Sequence, residues 1–141
     1  MMVRRVFLAF LVFAPVACGD NGTGNDGTDE ESITGTYTLQ SADGDPLPWV
    51  LFQLGDDKIE VTAGNVILNA DMSCPSTFTY TTTESGNVTT ETETDECTYT
   101  INGGAIALTF PFVGGFTNSG SIVGSTLTIT TQEGVVLIYQ K

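Results

Sequence analysis

The chain contains no histidine, and only four of its 141 residues are basic, against 17 that are acidic. Without histidine it lacks the commonest general base, the usual relay of a nucleophilic triad and the commonest zinc ligand. Lysine and arginine are so scarce that nucleic acid is not expected as a partner, because an acidic surface is repelled by phosphate backbones. No Gly-x-Ser-x-Gly elbow is present to raise a serine nucleophile on a strand-to-helix turn. No apolar run reaches the roughly 20 residues that a permanent membrane-spanning helix needs. No segment keeps a sustained helical period either. These absences lead to the expectation of a non-enzymatic protein with no cofactor and no metal.

The one apolar run sits at the start. Arg4 and Arg5 precede the short stretch Val6 to Ala14, the pattern of an export signal rather than an anchor. The "PVAC" that follows resembles the lipobox of bacterial lipoproteins, with Ala17 before Cys18 and Pro15 where an aliphatic residue is usual. The resemblance implies that residues 1–17 are a signal peptide and that Cys18 receives a diacylglycerol and becomes the new N-terminus. Such a chain is held to a membrane by its lipid, each buried methylene contributing roughly 0.8 kcal/mol. Gly19, rather than aspartate, follows the cysteine. By the same resemblance this points to the outer membrane, on its periplasmic or surface side. Processing there would remove both arginines and keep every acid, leaving two lysines against 17 acidic residues.

Residues 18–32 then form a tether. "GDNGTGNDGTDEES" has no apolar side chain to bury and reads as a flexible, charge-extended linker. Its alternating Asp, Asn and Gly invite a calcium reading, but Gly22 and Gly24 fall where an EF-hand loop needs oxygen ligands.

From Ile33 to Lys141 the signal is period two. "ITGTYTLQ" puts Ile33, Tyr37 and Leu39 on one face with Thr34, Thr36, Thr38 and Gln40 on the other, and "STFTYT" and "TLTITT" repeat the design. Threonine suits the outer face because its β-branched side chain fits the pleat while its hydroxyl meets water. Strands are expected near 33–41, 48–54, 57–62, 65–70, 76–83, 88–92, 97–101, 104–110, 119–123, 126–131 and 134–140, with some of these segments merging to give about eight to ten. Hairpin turns are expected at Gly64-Asn65, Asn102-Gly103 and Gly124-Ser125. The fold class is therefore all-β, a small antiparallel up-and-down barrel, since closure is the simplest way for such a meander to avoid open edges.

A further hairpin turning on Ser85-Gly86 sets Cys74 directly opposite Cys97, within disulfide reach. Export would place both on the oxidising side of the membrane. The same register puts Glu91 and Glu93 on the face of Tyr80 and Phe78, where carboxylates are costly to bury. Either this hairpin projects from the barrel, or a bulge near Thr94–Glu96 shifts the register. "ETETDE" reads as a solvated segment rather than an acid/base site.

Over 33–141, "ITGTYTLQSADGDPLP", "GNVILNADMSCPSTFTYT", "CTYTINGGAIALTF" and "GSIVGSTLTITTQEGVVLIYQK" resemble the lipocalin-like domains of small bacterial lipoproteins. The resemblance implies a small apolar ligand in the barrel, with Tyr37, Leu39, Phe78, Tyr99, Leu108 and Tyr139 as candidate lining. Gly35-Thr36-Tyr37 stands where true lipocalins carry Gly-x-Trp. The alternative is a filled barrel acting as a structural or protein-interaction module toward envelope proteins. A recess above about 300 Å³ favours the ligand reading.

Overall fold

The alternation of threonine with apolar residues does produce extended backbone. In the computed structural model, which describes residues 33–112 and 115–141, the strands are β1 (Gly35–Ala42), β2 (Asp45–Pro46), β3 (Trp49–Leu54), β4 (Asp57–Leu68), β5 (Ser76–Glu84), β6 (Asn87–Asp95), β7 (Thr98–Asn102), β8 (Ala105–Phe110), β9 (Phe116–Val123), β10 (Thr126–Thr130) and β11 (Val136–Gln140). The expected signal peptide, Cys18 and linker lie outside the described residues.

Nine strands follow one path, β6-β5-β4-β1-β11-β10-β9-β8-β7, while β2 attaches to β1 and β3 to β4. Every pairing is antiparallel. With β1 joining β4 to β11, this is the cyclic order of an up-and-down barrel, left open along one seam between β6 and β7. The chain is all-β, as expected, and the sheet curls into a half-barrel.

Its inner face is the core. Tyr37 and Leu39 of β1, Leu127 and Ile129 of β10, and Leu137 and Tyr139 of β11 are buried, whereas Thr36, Thr38 and Gln40 are exposed. A pleated strand must sort its side chains this way when only one face is dry.

The turns differ in detail from expectation. Gly64-Asn65 is not a turn, because β4 runs unbroken from Asp57 to Leu68. Gly64 serves packing instead: a Cβ there would sit 3.1 Å from both Leu39 Cδ2 and Phe78 Cδ1. The β7–β8 hairpin turns on Gly103-Gly104, one residue later than expected, with Asn102 paired to Ala105. Both glycines have positive φ, +58° and +86°, so the pair fills both left-handed positions of the turn with no Cβ penalty. Gly124-Ser125 does turn between β9 and β10, where Val123 pairs with Thr126.

The β5–β6 register is the expected one, with Phe78 opposite Glu93 and Tyr80 opposite Glu91 and no bulge along the ladder. Ser85 and Gly86 take the two positive-φ turn positions, +49° and +81°. Cys74 and Cys97 form the disulfide, with Cα atoms 4.8 Å apart. Nearby, Cys74 N–H donates to Cys97 O at 2.7 Å and Tyr99 N–H to Met72 O at 2.9 Å, and Ser73 bridges to Thr98. The seam is thereby stitched at one end by the β4–β5 connection. Away from that stitch β6 is exposed from Asn87 to Thr94. The hairpin projects, and Glu91 and Glu93 stay in water.

Candidate functional site

Two adjoining hollows open on the inner face at the end of the barrel carrying the β10–β11 turn. The outer one, about 250 Å³, lies between Trp49 and Leu51 of β3, Val61 of β4, Leu39 and Ala42 of β1, and Val135 and Leu137. The inner one, about 240 Å³, reaches deeper, past Leu108 and Phe110 of β8 and Asn118 of β9 to Tyr139. They share Phe78, Tyr80, Thr131, Glu133 and Leu137, so they are lobes of one recess. Neither lobe alone reaches the about 300 Å³ typical of small-molecule sites.

The β10–β11 turn arches over the shared part. It is fixed by Thr131 N–H donating to Val135 O at 2.9 Å and Val135 N–H donating to Thr131 Oγ1 at 3.2 Å. On the inner lobe's other side, Phe110 and Phe116 stack with ring centroids 4.7 Å apart. Phe110 and Phe116 thus supply wall, and Phe112 is left exposed at 46 %.

The outer lobe's wall is almost wholly apolar, whereas the inner lobe mixes its apolar side chains with Ser76, Asp95, Asn118, Thr131, Gln132 and Glu133. Asn118 is only 8 % exposed, and its Oδ1 has no hydrogen-bond partner. The hydroxyls of Tyr80 and Tyr139 form no hydrogen bond among the described residues. Burial, and secondarily Tyr80 beside it, pushes the Tyr139 phenol well above its ordinary value. Burial first, then the Glu93 and Asp95 carboxylates, pushes Tyr80 up in the same direction. Both phenols are therefore neutral at physiological pH and can donate. Asp95 and Glu133 add carboxylates at the inner lobe's edge.

Of the six expected lining residues, the recess gathers four. Leu39 and Phe78 line the outer lobe, and Phe78, Leu108 and Tyr139 the inner one. Tyr37 and Tyr99 line neither. Their hydroxyls are used at the stitched end, Tyr37 donating to Ile33 O at 2.8 Å and Tyr99 to Asn69 O at 2.7 Å. They plug the floor. Asn118, Thr131 and Glu133 are additional. The alternation Phe116, Asn118, Gly120, Ile122 in "FTNSGSIV" carried a readable signal, an amide in the phase of the buried residues.

The chain matches no protein-family model, no curated protein and no solved structure. The disulfide is compatible with an exported protein, and among the described residues no helix is long and apolar enough to cross a membrane.

Proposed function

We propose that this is an exported lipoprotein, anchored through Cys18 to the outer membrane, whose lipocalin-like half-barrel binds a small apolar ligand in the two-lobed recess. The observation that carries the binding reading is the recess itself: a nearly all-apolar outer lobe open to solvent, and an inner lobe lined by Tyr80, Tyr139 and Asn118, whose Oδ1 has no partner among the described residues. Sites of this make-up hold a ligand by burial and orient it with a few polar groups. Trp49 is the only tryptophan and lines the outer lobe, so it reports occupancy. Titrating the full chain with the neutral dye N-phenyl-1-naphthylamine should quench Trp49 and enhance the dye in one saturable phase. Absence of saturable binding overturns the reading. Replacing Cys18 by serine and fractionating cells tests the anchor, with release from the membrane fraction as the expected result.

A second reading, a protein-interaction module, rests on β3. Val50, Leu51, Phe52 and Leu54 are 42–72 % exposed on this strand, which among the described residues pairs only with β4.

A further inference from the structure

The recess is polar in a one-sided way. Asn118 is more than nine-tenths buried, lines the inner lobe and lacks a partner for Oδ1. An amide so placed leaves hydrogen-bonding capacity unmet among the described residues, capacity that a donor entering the inner lobe would satisfy. The charged groups around that lobe are Asp95 and Glu133, with Glu93 close enough to act on Tyr80. Among the described residues no cation lines either lobe to answer them. The described residues contain two lysines, and neither lines either lobe. Lys58 pairs with Glu60 at 2.9 Å, and Lys141 lies over the Tyr37 ring, 6.0 Å from its centroid, at the plugged end. A carboxylate ligand would therefore enter a low-dielectric site with acids at its edge and no counter-charge. An ammonium would find the Asp95 and Glu133 carboxylates and the Phe78 and Tyr80 rings in the same lining.

We infer that the ligand class of this recess is an apolar molecule bearing a protonated amine, and that fatty acids and other organic anions are rejected. The inference rests on the recess being a binding site and adds the sign of the head group.

The test uses three probes of one chain length, octylammonium, octanol and octanoate, each titrated below its micelle concentration into the full chain and followed by Trp49 fluorescence. Octylammonium should bind at least about tenfold more tightly than octanol, and octanoate more weakly than octanol. Raising the salt from low to physiological strength should narrow the spread, because the discriminating term is electrostatic. In Asp95→Asn combined with Glu133→Gln, the affinity ratio of amine to alcohol should fall to within about twofold. Octanoate binding as tightly as octylammonium, or an amine preference untouched by both salt and the double substitution, overturns the inference and leaves apolar binding intact. If none of the three probes binds, the recess reading itself fails.

Discussion

Replacing Asn118 by leucine should make the protein more stable and a worse binder. Asn118 sits on β9 opposite Leu108, 8 % exposed, with an unpartnered Oδ1. Leaving a buried acceptor unpaired costs about 1–3 kcal/mol, whereas leucine keeps the branching and offers two methyls to the apolar lobe beside it. Those methyls are larger than the atoms they replace, but the lobe of about 240 Å³ leaves them room, so the overpacking seen in tight cores is avoided. The net gain expected is about 1–2 kcal/mol, or a rise in Tm of about 4–8 °C for each kcal/mol in a domain of about this size. Asn118→Asp should move the other way, because its carboxylate would be desolvated in a lobe already edged by Asp95 and Glu133. Thermal unfolding followed by far-ultraviolet circular dichroism measures both. The dye titration on Asn118→Leu should show weaker binding of donor-bearing ligands, the familiar exchange of function for stability. A Tm for Asn118→Leu equal to or below that of the parent would refute the reasoning, since it would mean the amide is already satisfied in the empty protein.

Three further outcomes follow from the packing. Replacing Cys74 and Cys97 together by alanine opens a loop of sequence separation 23 and should remove roughly 3 kcal/mol, read as a lower urea midpoint; the same loss should appear in the parent under reductant. Gly120→Ala would put a Cβ 2.0 Å from the Thr128 carbonyl oxygen and 2.8 Å from Ile129 Cδ1. Because the first contact is backbone in the neighbouring strand, the β9–β10 ladder must separate, and the variant should fail to give soluble folded protein in an expression and gel-filtration assay. Tyr37→Phe removes the bond to Ile33 O without opening a cavity and should cost about 0.5–1.5 kcal/mol by chemical denaturation, with dye affinity unchanged because Tyr37 lies outside the recess.

What the sequence made legible was whatever depends on period and turn chemistry. The inward phase of Tyr37, Leu39, Leu127 and Ile129 follows from alternation alone. The partnership of Cys74 with Cys97 follows from Ser85-Gly86, because a two-residue turn fixes every pair in its ladder. Gly64-Asn65 misled because glycine has two uses in a strand. It can turn the chain, or it can let Leu39 and Phe78 close over the backbone, and only the neighbouring strands decide which. Asn102-Gly103 misled for a narrower reason: three turn-forming residues in a row offer two registers, and the glycine pair satisfies both positive-φ sites where asparagine need not. The recess was half legible. Leu39, Phe78, Leu108 and Tyr139 could be placed by phase, but Tyr37 and Tyr99 share that phase and differ only in their distance along the barrel axis, which alternation does not encode.

The open seam is where sequence chemistry and the candidate function meet. Closing the barrel would require β6 to offer an apolar face to the interior, as β1, β10 and β11 do. Instead "NVTTETETD" has two polar faces. Its threonines pair across to β5, Thr77 with Thr94 at 3.2 Å and Thr79 with Thr92 at 3.0 Å, and the opposite face carries Glu91 and Glu93. Burying that face beside Phe78 and Tyr80 would strip two carboxylates of water, with no cation among the described residues lining the recess to receive them, so the strand gains nothing by turning inward and its charges also guard it against pairing with another edge. The disulfide stitches the seam at the plugged end, and beyond it no pairing of β6 with β7 closes the sheet among the described residues. The same acidic strand that leaves the sheet a half-barrel contributes Asp95 to the lining of the inner lobe and sets Glu93 where it acts on Tyr80.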